Sequence, residues 1–113
     1  MACLFCDVIK GERPATVLHR DDLVTAIRDT RPQAPVHVLV LPNEHIPSAA
    51  DLGPEHGPML ARLFAVAREV AKREGAAAGG YRLVFNVGRD AGQSVGHLHL
   101  HVLGGRRLSW PPG

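Results

Sequence analysis

Three histidines alternate with two leucines in the segment His97-Leu98-His99-Leu100-His101. Alternate side chains of a β-strand lie on opposite faces, so a strand here would collect the imidazoles on one face and the leucines on the other. An imidazole can attack, exchange a proton or ligate a metal near neutral pH. The spacing therefore predicts a reactive sheet face, although a solvated face or a crude metal-binding patch would use the same pattern.

The residues just before the histidines, Gly92-Gln93-Ser94-Val95-Gly96, combine two glycines with small polar side chains. Glycine lets the backbone approach a ligand closely, and turn amides can form an anion-binding nest. Serine and glutamine side chains can also donate to phosphate oxygens. A phosphate-binding loop followed at once by imidazoles predicts nucleophilic attack on phosphorus.

The composition limits the class of protein. A chain of 113 residues with 45% apolar content predicts one compact domain, residues 1–113. A net charge of +2 is too weak to indicate a nucleic-acid polymer as partner. Neither a membrane span nor a signal peptide is expected. We expect a reducing cytoplasm, where Cys3 and Cys6 would ligate a metal or stay free rather than form a disulfide.

The elements that must position these residues follow from periodicity and turn signals. Five strands and two helices, with short turns between neighbouring strands, predict an α+β fold on an antiparallel sheet. The longer helix has an apolar face at helical spacing: Leu60, Leu63, Phe64, Ala67, Val70 and Ala71. The predicted helices span 4–10 and 58–74, and the predicted strands span 16–20, 23–29, 37–41 and 81–87, followed by the histidine segment.

Segment 97–103 resembles the histidine triad (HIT) signature, in which three histidines alternate with apolar residues. Segments 31–42, 80–86 and 92–95 resemble other parts of that family in the same order, and the end of the chain resembles its Hint branch, the histidine triad nucleotide-binding proteins. The resemblance implies a five-stranded antiparallel sheet with two helices, paired into a homodimer. It also implies hydrolysis of purine nucleoside 5′-phosphoramidates.

The resemblance also implies roles for individual histidines. His99 would be the nucleophile that forms a nucleotidyl-histidine intermediate, which agrees with the chemistry of a neutral imidazole. His101 would contact the phosphate and orient that chemistry. His37 lies in an apolar strand, where it would serve either as a proton relay or as a hydrogen-bonded core histidine.

A nucleotide-binding surface is implied in the same way. Asp29 would bind the ribose hydroxyls, although a turn-forming role at a strand end would also suit it. Asn86 would lie near the phosphate, although a buried amide that bonds the backbone is the alternative. The implied nucleotide-binding residues are Leu4, Phe5, Val8, Ile27, Asp29, Thr30, Asn86, Gly92, Gln93, Ser94, His99, His101 and Trp110.

A second site is suggested by Cys3-x-x-Cys6, which has zinc-knuckle spacing but needs two more ligands. Some bacterial-type triad proteins resemble this chain here, and they imply that Cys3, Cys6, His45 and His97 bind a structural zinc. Catalysis would need no cofactor. The alternative is two free cysteines beside a hydrogen-bonded His45.

Three other functions remain open. A dinucleoside polyphosphate hydrolase would use the same histidines, but the ending Trp110-Pro111-Pro112-Gly113 argues against it. A nucleotide-binding adaptor would keep only residual catalysis, and a metal-binding protein would use the clustered His and Cys. The resemblance places Trp110 near the partner subunit's active site, whereas a tail without docking would fray.

Overall fold

A computed structural model describes residues 3–113. In this part of the chain one antiparallel sheet has the strand order β1-β2-β3-β5-β4, and two α-helices pack on it. The five-stranded sheet with two helices is thus confirmed. The strands are β1 Val17–Arg20, β2 Val24–Arg28, β3 Val36–Pro42, β4 Tyr81–Val84 and β5 Leu100–Gly104. The helices are α1 Leu4–Ile9 and α2 Gly57–Arg73, with short 3-10 turns at Ala49–Asp51, Pro54–His56 and Arg89–Ala91.

The central strand β3 is buried along its whole length because helices cover both of its faces. Val38 and Val40 pack into the main core with α2. Leu39 and Leu41 face the other way, into a smaller cluster with Phe5 and Val8 of α1. By strand alternation His37 lies on the α1 face, which is where the site forms.

The apolar face of α2 differs from the prediction at Phe64, Met59 and Val66. Phe64 is 45% exposed, whereas Met59 and Val66 are buried with Leu63 and Val70. The buried stripe follows positions 59, 63, 66 and 70, and Phe64 lies beside it, edge-on to Phe85 at a centroid distance of 6.2 Å. Phe64 is therefore a surface residue of the single chain.

The histidine segment is only partly a regular strand, which corrects the prediction. β5 begins at Leu100, where it pairs with Val40 of β3, so His97 and His99 precede it. The amide of Leu98 instead donates to the carbonyl of Ile46 at 2.6 Å. The alternation still holds, because Leu98 and Leu100 enter the main core.

Strand β4 ends at Val84 rather than at residue 87, and it lies at the edge of the sheet. Phe85 leaves the strand and packs against the main core, while Leu83 is 39% exposed and Val87 is 42% exposed. This edge therefore carries apolar surface beside Phe64. Within residues 3–113, no helix has the length and apolar character needed to cross a membrane.

Candidate active site

A cavity of about 430 Å³ opens between α1 and the sheet. This volume is within the range of small-molecule sites in proteins. Nine of the implied nucleotide-binding residues line it: Leu4, Phe5, Val8, Ile27, Asp29, Thr30, Ser94, His99 and His101. The fold therefore brings together residues from α1, β2, β5 and the loop before β5.

His99 has one ring nitrogen fixed by the backbone. Its Nδ1 lies 2.7 Å from the carbonyl oxygen of His97. A carbonyl can only accept, so Nδ1 donates its proton, and in the neutral ring the lone pair lies on Nε2. Phe5 packs edge-on against the ring at 5.2 Å, and the residue is only 7% exposed. The backbone thus engages Nδ1 of His99 and leaves Nε2 as the ring nitrogen available for attack.

His101 is bonded to His37 across the sheet. The amide of Gln33 donates to Nδ1 of His37 at 3.0 Å, so the proton of a neutral His37 must be on Nε2. That Nε2 lies 2.9 Å from Nδ1 of His101. Nδ1 of His101 therefore accepts, and the proton of His101 is on Nε2. This chain of bonds leaves His101, a cavity residue, with an N–H to donate.

Asp29 lies next to His37, beside this series of hydrogen bonds. One of its carboxylate oxygens accepts from the amide of Arg31 at 2.8 Å. The other is 3.4 Å from Nε2 of His37. Asp29 also donates its own amide to the carbonyl of His37 at 3.0 Å. The carboxylate therefore borders the cavity on one side and the histidine pair on the other.

The environment keeps the histidine pair neutral. Burial, together with the neighbouring His99 and His37, lowers the pKa of His101 to about 4, while Asp29 opposes the shift. Burial also lowers the pKa of His37, and Asp29 again acts in the opposite direction. At neutral pH both rings are uncharged, so they act as hydrogen-bond donors and acceptors rather than as cations.

The second cluster consists of two cysteines and two histidines whose potential ligand atoms all lie within 4.8 Å of one another. Nε2 of the fully buried His97 donates to the carbonyl of Pro42 at 2.9 Å. Its Nδ1 lone pair therefore faces Cys3 Sγ at 3.4 Å and Cys6 Sγ at 3.6 Å. Nδ1 of His45 lies 3.4 Å from Cys6 Sγ.

This donor set fits zinc, which prefers tetrahedral sulfur and imidazole ligands. Burial lowers the pKa of His97, which keeps its ring neutral as a ligand requires. Burial and the adjacent Cys3 raise the pKa of the Cys6 thiol, while the charge of Lys10 opposes the shift. A bound zinc would stabilise both thiolates.

Comparison with known proteins agrees with this geometry. The family model described as "Scavenger mRNA decapping enzyme C-term binding" matches residues 2–108. The purine nucleoside phosphoramidase of Escherichia coli K12 is 48% identical over 105 residues, which cover 93% of this chain and 88% of that protein. The chain belongs to the histidine triad (HIT) family.

Solved HIT structures share the whole fold. A HIT family hydrolase from Legionella pneumophila superposes with a TM-score of 0.97 at 48% identity, covering 99% of this chain and all of that one. A zinc-bound histidine triad family protein from Mycobacterium smegmatis superposes with a TM-score of 0.81 at 32% identity, covering 100% of this chain and 81% of that one. This HIT chain is thus a hydrolase by family, and it has a possible metal-binding group.

Four other implied nucleotide-binding residues of this HIT protein do not line the cavity. Gln93 donates to the carbonyl of Pro47 at 2.7 Å and accepts from the amide of Gly88 at 3.0 Å, so it braces the loop. Asn86 donates to the carbonyl of Ala91 at 2.9 Å. Gly92 ends the turn with φ +79°.

The fourth of these residues, Trp110, is 82% exposed in the single chain. The segment before it is tied down, because Arg82 donates to the carbonyl of Ser109 at 2.8 Å and Arg106 donates to that of Gln33 at 2.9 Å. Trp110 thus extends from an anchored segment toward solvent.

Sequence reasoning missed several residues of the cavity wall. Leu39 could have been predicted, because it lies two residues after His37 and therefore on the same face of β3. Arg13 and Arg31 carry no local signal, since only the tertiary fold brings their loops to the cavity rim. The residues missed are Arg13, Pro14, Ala15, Arg28, Arg31, Leu39 and Val95.

Proposed function

We propose that this HIT hydrolase cleaves the P–N bond of purine nucleoside 5′-phosphoramidates through a nucleotidyl intermediate on His99. The observation that carries the proposal is the bond from Nδ1 of His99 to the carbonyl of His97 at 2.7 Å. It leaves Nε2 as a free nucleophile in a cavity of about 430 Å³. The name of the Escherichia coli relative supports the substrate class.

The chemistry would proceed in two displacements. Nε2 of His99 attacks phosphorus, the P–N bond breaks, and the leaving nitrogen takes up a proton and departs as an amine. Water then attacks phosphorus, the bond to Nε2 breaks, and the released proton balances the one consumed before. Splitting the reaction in this way avoids one difficult displacement. The N–H of His101 would donate to the phosphoryl group as its charge changes.

The nucleotide would lie along the cavity with its phosphate near the histidines. Leu4, Phe5, Val8 and Ile27 form an apolar wall suited to a purine face. Asp29, with Thr30 beside it, can accept from ribose hydroxyls, and Ser94 can donate to the phosphate. Gln93, Asn86 and Gly92 would act through the loop that presents Ser94.

Zinc at Cys3, Cys6, His45 and His97 would have a structural role. When bound, the ion cross-links α1 to the segments at His45 and His97. Zinc binding would thereby help to hold one wall of the cavity in place, because α1 also carries Leu4, Phe5 and Val8. The reaction itself would need no cofactor.

We also propose that residues 1–113 form one HIT domain that works as a homodimer. The edge strand β4 leaves Leu83 and Val87 exposed, and Phe64 lies beside them. A partner copy that paired at this edge would cover the apolar surface and satisfy the free edge of the sheet. The proposed location is the cytoplasm.

Turnover of adenosine 5′-phosphoramidate to AMP and ammonia tests the proposal. We expect the wild type to release both products, and intact mass after rapid quench to show an adenylyl group on His99. His99→Ala should abolish turnover while calorimetry still detects AMP binding. The matched control is His19→Gln, which changes a histidine bound to Asp21 in the β1–β2 hairpin.

Three outcomes would contradict the proposal. Near-normal turnover by His99→Ala would exclude the nucleophile. AMP binding without turnover by the wild type would favour a nucleotide-binding adaptor. Cleavage of diadenosine tetraphosphate in preference to the phosphoramidate would favour a dinucleoside polyphosphate hydrolase.

A further inference from the structure

We propose that Asp29 is a positioning residue for the His37–His101 pair, in addition to any contact it makes with ribose. Its carboxylate would act together with the Gln33 amide to fix which nitrogens of the two rings carry protons, and so keep the N–H of His101 available to the substrate. The inference rests on the proposed function, which treats His101 as a donor in turnover. Asp29 would therefore affect kcat and not only substrate affinity.

The first step concerns the surroundings of the Asp29 carboxylate. One of its oxygens accepts from the amide of Arg31 at 2.8 Å, and the other lies 3.4 Å from Nε2 of His37. The Arg31 amide donates to the carboxylate, whereas the proton on Nε2 of His37 is directed at His101, and the carboxylate beside it favours an N–H over a lone pair on that nitrogen. The backbone bond from Asp29 to the carbonyl of His37, 3.0 Å long, keeps the two residues side by side.

The second step concerns His37, whose tautomer is set from both sides of the ring. The amide of Gln33 occupies the Nδ1 lone pair at 3.0 Å. Asp29 favours a proton on Nε2 by its charge and by its position. The residue is only 7% exposed, so water has little access to either ring nitrogen and the protein groups decide the tautomer.

The third step transfers this choice to His101. Because Nε2 of His37 carries a proton, Nδ1 of His101 must accept it across 2.9 Å. The only proton of neutral His101 then lies on Nε2. Were His37 to switch tautomer, His101 would carry its proton on Nδ1 and would offer the cavity a lone pair in place of a donor.

Burial outweighs the charge of Asp29 on both rings, so each keeps a lowered pKa. The carboxylate is therefore not strong enough to convert the pair into a cation at neutral pH. Its remaining effect on the pair is to favour one arrangement of the protons on the ring nitrogens. The groups that face the pair are Asp29, His99 and the Gln33 amide.

Asparagine is the informative replacement for this aspartate. A carboxylate accepts from two N–H donors, whereas an amide can accept at one end only. Whichever way the introduced amide is turned, its NH₂ group opposes either the Arg31 amide or the Nε2–H of His37. Alanine removes the acceptors but adds no opposing donor. A positioning role therefore predicts that Asp29→Asn is more harmful than Asp29→Ala, whereas ribose binding alone predicts the reverse.

The test measures kcat and KM for the full-length protein with two substrates, adenosine 5′-phosphoramidate and its 2′,3′-dideoxy analogue. The analogue has no ribose hydroxyls, so loss of a ribose contact cannot affect it. We expect Asp29→Asn to lower kcat by about tenfold with both substrates. This is less than the loss expected when a proton-transfer group itself is removed. Asp29→Ala should lower kcat less, and Asp22→Asn, at an exposed carboxylate of the hairpin, should not lower it.

Nitrogen-15 NMR of the imidazoles gives a readout that needs no turnover. In the wild type His37 and His101 should both show the Nε2–H tautomer, and in Asp29→Asn this population should fall. An unchanged tautomer pattern in a folded Asp29→Asn variant would overturn the inference. So would a kcat for the dideoxy substrate equal to that of the wild type. If the wild type does not cleave phosphoramidates, the proposed function fails, while the NMR measurement still decides the role of Asp29.

Discussion

His97 and His99 are joined by a hydrogen bond that links the two clusters of the site. The carbonyl oxygen of His97 accepts from Nδ1 of His99 at 2.7 Å, while Nδ1 of the His97 ring faces Cys3 at 3.4 Å. One buried residue therefore faces the two cysteines with its side chain and holds the ring of His99 with its backbone. Phe5 reinforces the link, because its ring packs edge-on against both histidines, at 5.9 Å and 5.2 Å.

The first prediction concerns the metal. Protein purified without a tag should carry about one zinc per chain, as four-ligand sites do. The double variant Cys3→Ser, Cys6→Ser should lose the metal and melt at a lower temperature, because zinc stabilises the folded state that binds it. Elemental analysis and thermal unfolding measure both effects.

Activity separates structural zinc from catalytic zinc. We expect the kcat of the cysteine variant to persist largely, and KM to rise by a few-fold because α1 carries part of the cavity wall. The control is the same protein with zinc removed by a chelator. Metal-free protein from a zinc-replete preparation, or complete loss of kcat with an intact fold, would contradict this prediction.

The second prediction concerns the pH dependence of stability. Folding lowers the pKa of His101 from its ordinary value of 6.5 to about 4. Between these values the unfolded chain binds more protons than the folded one, so the contribution is full above pH 6.5 and is lost as the pH falls toward 4. Burial of the ring is the main cause, with His99 and His37 adding to it.

Urea unfolding of the wild type and His101→Gln, with equal zinc content, measures this contribution. The wild-type midpoint should fall more steeply than that of the variant as the pH is lowered through this window. The control His56→Gln removes a histidine that does not line the cavity. Parallel curves for wild type and His101→Gln would mean that His101 is not held neutral by folding.

The third prediction concerns the edge strand. Leu83→Lys places a charge on the exposed side of β4, where Leu83 is 39% exposed in the single chain. If this edge forms the dimer interface, sedimentation should show a dimer for the wild type and a shift toward monomer for the variant. Val17→Lys is the matched control, because Val17 is equally exposed, at 39%, but lies on the opposite edge strand β1. A monomeric wild type, or equal dissociation of both variants, would disprove the assignment.

The fourth prediction concerns Trp110. The side chain of Trp110 is 82% exposed, and it follows Ser109, whose carbonyl accepts from Arg82. We expect this large aromatic side chain to dock on a partner subunit near its cavity. Deleting residues 109–113 should then change the preference among leaving amines while the dimer persists. Steady-state kinetics with several phosphoramidates measures the first effect, and sedimentation measures the second. Unchanged kinetics across all leaving groups would show that the tail is not part of the site.

Much of the fold follows from local patterns in the sequence. Alternation at residues 97–102 placed the leucines in the main core and the histidines on the α1 face, as found. The short connection between the first two predicted strands is found as a turn, in which the Asp21 carboxylate accepts from the amides of Leu23 and Val24 at 2.8 and 2.9 Å. These features depend on neighbours within a few residues, so periodicity and turn chemistry are enough to specify them.

The details that decide the chemistry depend on contacts between distant parts of the chain. His37 and His101 are 64 residues apart, and only the β3–β5 register brings their rings together. The end of the regular strand at Leu100 and the exposure of Phe64 also follow from packing that no local pattern specifies. The sequence by itself determined which residue types meet on each face. The tertiary structure alone decided which nitrogen of each histidine carries its proton, because that choice depends on backbone groups that folding brings within hydrogen-bonding distance.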